Sequence, residues 1–122
     1  MADATPVGEI SAQGLKARLD AGERLVLLDV REDHERAYAR IAPPAGVADL
    51  HIPLGQLRDR AGEVDAAVAA EGAGPVVVFC HHGQRSMVAA TWLARRGLAD
   101  VHNLDGGTDA WSTRVDPSVR RY

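Results

Sequence analysis

Val76-Val77-Val78-Phe79-Cys80-His81-His82-Gly83-Gln84-Arg85-Ser86 is the stretch whose reading decides the fold. Its four leading apolar residues, bounded by Gly74-Pro75 and a polar loop, read as a buried strand. From Ser86 onward, Met87, Ala90, Trp92 and Leu93 fall at helix-compatible spacings. The loop opens with Cys80, the only cysteine of the chain. A thiol at such a junction faces the first backbone N–H groups of a helix, which have no intrahelical partner and carry partial positive charge. Together with the Arg85 cation, they predict a thiol pKa below the ordinary value of about 8.5, and the thiolate is the nucleophilic form. The competing reading is a cysteine buried at a strand end for packing alone.

Working outward, Leu25 to Val30 is a nearly continuous apolar run, as expected of a strand covered on both faces of a parallel sheet. Before it, an extended start ends at Ile10, and Ser11 is placed to cap a helix over 12–20 that stops at Gly22. After it, a short helix is expected over 33–39, then a loop at Ala42-Pro43-Pro44-Ala45-Gly46. Leu50-His51-Ile52-Pro53 reads as a peripheral strand, because Pro53 cannot donate to a ladder. Two helical stretches are expected near 54–60 and 62–71, closed by Gly72 and Gly74-Pro75. A helix over 86–96 has Gly97 as its C′ residue. Val101 to Leu104 forms the last strand, and Gly106-Gly107 leads into a short helix ending near Trp111. Strands alternating with helices predict an open, mostly parallel α/β sheet with helices on both faces and ligands at the carboxyl ends of the strands.

The 122 residues suffice for one domain over 1–122 with a single core. Fourteen Lys and Arg face 17 Asp and Glu, a formal net charge of −3, and no basic block suggests nucleic acid. No stretch approaches the ~20 apolar residues of a membrane span. The start Met1-Ala2-Asp3-Ala4-Thr5-Pro6 lacks the basic and apolar regions of a signal peptide, so a cytoplasmic location is expected. A lone cysteine has no internal resolving thiol, so a sulfur atom loaded on Cys80 needs an outside acceptor.

The chain resembles the rhodanese family of sulfurtransferases over nearly its whole length. Four segments carry the resemblance: Leu27-Leu28-Asp29-Val30-Arg31-Glu32 with Glu35, His51-Ile52-Pro53-Leu54, the loop 80–86, and Asn103-Leu104-Asp105-Gly106-Gly107 with Trp111. The resemblance implies a three-layer α/β/α fold on a five-stranded sheet, with Cys80 accepting a sulfane sulfur as a persulfide and passing it to a thiophilic acceptor. The acceptor would be cyanide, a small thiol or a protein. It also implies that the backbone N–H groups of His81, His82, Gly83, Gln84, Arg85 and Ser86 cradle the persulfide, and that Asp29 and Arg31 support the fold near the site. Arg40-Ile41 stands where the family commonly has His-Ile, residues 42–49 form a longer connection than usual, and Thr108 replaces a more typical apolar residue.

The chemistry suits these residue types. Attack of a thiolate on the outer sulfur of thiosulfate releases sulfite, a weak base that leaves without a general acid. Converging N–H groups stabilise an anionic persulfide, and the planar fork of Arg85 suits a sulfonate. Adjacent histidines in a tight loop converge poorly on one ion and have no sequence neighbour to complete a ligand set, so no metal or other cofactor is expected. His81 and His82 are read as polar, partly positive residues of the loop rim, and His34, His51 and His102 as scattered hydrogen-bonding residues. Asp29, Arg31 and Glu35 are expected to form a structural ion-pair cluster. Trp92 and Trp111 read as packing residues. Cysteine-dependent phosphatases and arsenate reductases share the thiolate, the N–H cradle and the arginine, but place five residues between Cys and Arg where this chain has only His81, His82, Gly83 and Gln84. A partner-binding module without activity is the non-enzymatic alternative, opposed by the presence of Cys80, Gly83 and Arg85 together.

Overall fold

Alternate residues of the central strands enter opposite cores, and that alternation builds the layers. The computed structural model describes residues 6–70 and 74–122. Strands β1 (Gly8–Ile10), β2 (Val26–Asp29), β3 (Ala48–His51), β4 (Val76–Phe79) and β5 (Val101–Leu104) form one sheet in the order β1-β5-β4-β2-β3, with every neighbouring pair parallel. Helices α1 (Ala12–Asp20) and α5 (Gly107–Arg114) cover one face, where Leu15, Leu19, Ala110 and Trp111 pack with Leu27, Val77 and Phe79. Helices α3 (Leu57–Ala69) and α4 (Gln84–Arg95) cover the other, where Val64, Ala90 and Leu93 pack with Leu28, Val78 and Cys80. A shorter helix, α2 (Asp33–Tyr38), follows the carboxyl end of β2. The architecture is the expected three-layer open parallel α/β sheet, and Cys80 emerges at the carboxyl end of its middle strand.

Several boundaries differ from expectation for local reasons. The two helices expected at 54–60 and 62–71 are a 3-10 turn, Leu54–Gln56, running into the single helix α3, which carries Gly62 in its interior. Gly72 and residue 71 lie outside the described residues, as do Met1 to Thr5. The edge strand β3 begins at Ala48, two positions before the expected start, because the backbone pairing with β2 runs from Val26 opposite Ala48 to Asp29 opposite His51. Pro53 falls just outside it, ahead of the 3-10 turn. Helix α4 starts at Gln84, and α5 extends beyond Trp111 to Arg114. The Ser11 cap is as expected, its side chain accepting from the Gly14 N–H at 2.9 Å. No helix among the described residues is long and apolar enough to cross a membrane.

Beside the carboxyl end of β2, Asp29 and Arg31 are both fully buried. Arg31 Nε and Nη2 donate to Asp29 Oδ1 and Oδ2 at 2.9 and 2.7 Å, and the Arg31 backbone N–H donates to Oδ1 at 3.0 Å. Nη1 reaches the Glu35 carbonyl at 3.3 Å, which ties the start of α2 to the strand end. The unusual residue Arg40 also has a structural explanation. It and Arg36 both pair with Asp49 at the end of the long 42–49 connection, so the loop is held at its far end.

Removing Arg31 leaves the buried Asp29 carboxylate with only the longer 3.4 Å contact to Arg36 as its cationic partner, so Arg31→Ala is expected to lower unfolding stability by about 3 kcal/mol. Asp29→Leu combined with Arg31→Met is expected to lose less than Arg31→Ala alone. Urea unfolding of the three proteins checks the order.

Candidate active site

A buried sulfur at the start of a polar loop needs donors to carry negative charge, and the fold supplies them from the first turn of α4. Cys80 is 1% exposed. Its Sγ receives the Gly83 N–H at 3.1 Å, the Ser86 N–H at 3.4 Å and the Ser86 hydroxyl at 3.3 Å. Burial pushes the Cys80 thiol up, while the Ser86 hydroxyl, the Ser86 and Gly83 N–H groups and the Arg85 charge push it down, and the net position is below an ordinary thiol. The sequence expectation of a lowered pKa holds, but Arg85 is the smallest of these influences and the hydroxyl of Ser86 is the largest of the lowering ones.

Two glycines make the loop geometry available. Gly83 caps α4 with φ at 107°, a left-handed conformation in which a side chain would be strained. Gly107 opens α5 directly against the loop, and a Cβ there would run into the carbonyl oxygens of Cys80 and His81. This close approach lets the Thr108 and Asp109 N–H groups donate to those same carbonyls at 2.9 and 3.1 Å. Thr108 is buried with its Oγ1 unpaired, so its contribution to the loop is the backbone bond.

Arg85 is held more tightly than its sequence position suggests. Nη1 and Nη2 donate to Glu35 Oε1 and Oε2 at 2.6 and 2.8 Å, so the end-on fork read from the sequence as a sulfonate site is engaged by a carboxylate. Its Nε–H and the second hydrogen on each terminal nitrogen are not used in that pair. Arg85 beside Glu35 holds the carboxyl at about 2, against an opposing effect of burial and with help from the Glu32 N–H and the Tyr122 hydroxyl. Tyr122 completes this cluster: its hydroxyl accepts from Arg31 at 3.1 Å and donates to Glu35 at 2.9 Å, and its ring stacks on His81 with centroids 3.8 Å apart. The expected ion-pair cluster of Asp29, Arg31 and Glu35 therefore extends to the loop through Arg85 and Tyr122.

The structure thus brings Cys80, Gly83 and Ser86 together at the sulfur, with Arg85 beside them, while Gln84 and His82 are exposed on the rim. Burial and the neighbouring His82 push the His81 imidazole below the ordinary histidine value, which weakens the positive character expected of it at the rim. His81, His82 and Asp109 offer ligand atoms within 4.8 Å of one another, a proximity that the sequence separation of Asp109 concealed. The Asp109 carboxylate is already bound by Arg121 at 2.9 Å, and three ligands fall short of a closed structural zinc site. Sequence reasoning missed the side-chain roles of Asn103 and Tyr122. Asn103 lies within a recognised segment, whereas nothing near Tyr122 in sequence signals its contact with the loop.

Ser86→Ala is expected to raise the Cys80 pKa by about one unit, the magnitude of losing a hydrogen bond to a charged group. Arg85→Ala is expected to raise it less. The pH dependence of alkylation of the single thiol measures both. For Glu35 the folded pKa is depressed, so its stabilising effect is complete above the unfolded value of 4.5 and fades as pH falls toward about 2. The stability gap between the parent protein and Glu35→Gln is therefore expected to narrow across that window in acid denaturation.

The chain has recognisable relatives among known proteins. Residues 11–114 match the family model for the rhodanese-like domain. The chain is 34% identical over 111 residues to YtwF of Bacillus subtilis (strain 168), covering 91% of this chain and 96% of that protein. It is 29% identical over 94 residues to the thiosulfate sulfurtransferase GlpE of Pseudoalteromonas translucida (strain TAC 125), covering 77% and 90%. Other curated relatives are longer, and the chain spans 56% and 23% of two of them. The crystal structure of a rhodanese-like domain protein from Staphylococcus aureus superimposes with a TM-score of 0.71 at 24% identity, over 95% of this chain and 99% of that one, and shares the fold. This chain belongs to the rhodanese-like domain family.

Proposed function

We propose that the protein is a sulfurtransferase that moves a sulfane sulfur through a persulfide on Cys80, with thiosulfate as a competent donor. The observation that carries this reading is the convergence of the Gly83 N–H, Ser86 N–H and Ser86 hydroxyl on a buried sulfur. The Cys80 thiolate attacks the outer sulfur of thiosulfate, a new S–S bond forms, and the bond to the sulfonate sulfur breaks with its electron pair leaving in sulfite. A thiophilic acceptor, whether cyanide, a thiol or a protein, then takes the terminal sulfur and returns the thiolate. Neither step calls for a general acid. The N–H groups of the loop from His81 to Ser86 hold the extra sulfur, and the N–H groups of Arg85 that Glu35 leaves unused bind the anionic donor.

A phosphatase or arsenate reductase fits less well. A phosphoryl leaving group of high basicity needs a proton donor, and the nearby carboxylates are engaged: Glu35 by Arg85 and Asp109 by Arg121. The short loop points the same way. The partner-binding alternative leaves the lowered thiol pKa without a use.

Incubation with thiosulfate is expected to add one sulfur atom to the intact mass of the protein and to support thiocyanate formation from cyanide, and Cys80→Ser is expected to abolish both. Arg85→Ala is expected to raise the thiosulfate KM, with Arg85→Lys recovering the charge but only part of the geometry. Insertion of one glycine after Gly83 is expected to depress transfer while the domain stays folded. Activity persisting in Cys80→Ser, or substantial aryl-phosphate hydrolysis by the parent chain, overturns the reading.

A further inference from the structure

Ser86 has one hydroxyl proton and two acceptors competing for it. Asn103 Oδ1 lies 2.5 Å from Ser86 Oγ, and Cys80 Sγ lies 3.3 Å away. Asn103 is buried on β5, and its amide is oriented from the opposite side. Nδ2 donates to the Gly83 carbonyl at 3.2 Å and to the Glu9 carboxylate at 3.3 and 3.4 Å, Glu9 being the register partner of Asn103 across β1 and β5. A flipped amide would set its oxygen against both that carboxylate and that carbonyl, so Oδ1 faces Ser86. One buried side chain thus holds both residues that donate to the sulfur, Ser86 through its hydroxyl and Gly83 through its carbonyl.

We propose that Asn103 is a positioning residue that makes the Ser86 hydroxyl a two-position donor, turned to Asn103 while Cys80 is a thiol and turned to the sulfur when that sulfur is charged. This rests on Cys80 being the nucleophile. In the thiol state the S–H donates to Ser86 Oγ, the hydroxyl donates to Oδ1, and every group is satisfied. Loss of the thiol proton to solvent turns the sulfur into an acceptor. The hydroxyl then rotates to it at the expense of the short bond to Oδ1. Asn103 therefore sets how much of the donor strength of Ser86 reaches the sulfur. The other charged and titratable groups around the sulfur are Arg85 of α4 with its Glu35 partner from α2, His81 of the loop with Asp109 of α5 beyond it, and Glu9 behind Asn103. Apart from Glu9, which loses its bond to Asn103, these groups keep their partners in the variants below.

The test is a double-mutant cycle on the full chain, with the Cys80 pKa read from the pH dependence of iodoacetamide alkylation. It uses no sulfur donor, so its outcome is separate from whether the protein transfers sulfur. Asn103→Asp, made throughout in a Glu9→Gln background so that the oxygen replacing Nδ2 meets an amide donor in place of a carboxylate, gives Ser86 a carboxylate that keeps the hydroxyl proton in both states. With Ser86 present, this variant is expected to lower the thiol acidity about tenfold, one pKa unit. In the Ser86→Ala background only the added charge acts, and the shift is expected to be clearly smaller. Equal shifts in the two backgrounds, or none with Ser86 present, overturn the proposal. Should the thermal midpoint show that Asn103→Asp does not fold, Asn103→Ala enters the same cycle. It frees the hydroxyl for the sulfur, so the pKa is expected to fall with Ser86 present and to move clearly less without it, where only the lost hold on Gly83 acts. An upward shift, or one independent of Ser86, overturns the proposal.

Discussion

Withdrawing a thiolate from water disfavours it unless the protein supplies donors in place of the lost solvent, and the arrangement around Cys80 follows from that constraint. At 1% exposure the sulfur depends on the first turn of α4, which places the Gly83 and Ser86 N–H groups and the Ser86 hydroxyl against it. That turn holds its shape because Gly83 adopts a left-handed conformation and because the Cys80 and His81 carbonyls are bound by the start of α5. The sheet contributes by placing β4 between β5 and β2, so the loop is flanked by Asn103 on one side and by the Asp29–Arg31 pair on the other.

A second layer of charge surrounds this turn. Arg31 is enclosed by Asp29, the Glu35 carbonyl and Tyr122, while Glu35 joins Arg85 and Tyr122. Arg85 therefore stands near the sulfur as a paired cation, and its charge adds to the hydrogen bonds of Ser86 and Gly83 in lowering the thiol. The same pairing fixes the direction in which its remaining N–H groups can meet an anion.

The apolar runs of β2 and β4 were legible in the sequence because both faces of each strand are covered, and burial on both faces leaves little room for polar residues, whereas β5 carries His102 and Asn103 between Val101 and Leu104. The Cys80 loop was legible because its residues are consecutive. The break expected between 60 and 62 does not occur, because Leu57, Ala61 and Val64 pack beneath one continuous helix, and Gly62 weakens that helix without ending it. β3 begins earlier than expected because Ala48-Asp49 gives only a weak apolar signal, and its register comes from pairing with β2. The Glu35–Arg85 pair, the Tyr122 stack on His81 and the approach of Asp109 to His82 join residues far apart in the chain. Only the folded sheet brings them together.

The attachment of the loop to α5 also sorts its dipoles. The carbonyls of Cys80 and His81 are taken by N–H groups of α5, and that of Gly83 by Met87 and Asn103, while the Gly83 and Ser86 N–H groups point to the sulfur. An anion held there meets the positive ends of peptide units whose neighbouring negative ends are already engaged elsewhere. A cation of the same size would find few free oxygens to coordinate. The loop consequently discriminates by sign of charge through its backbone, and side chains on its rim can vary without reversing that preference.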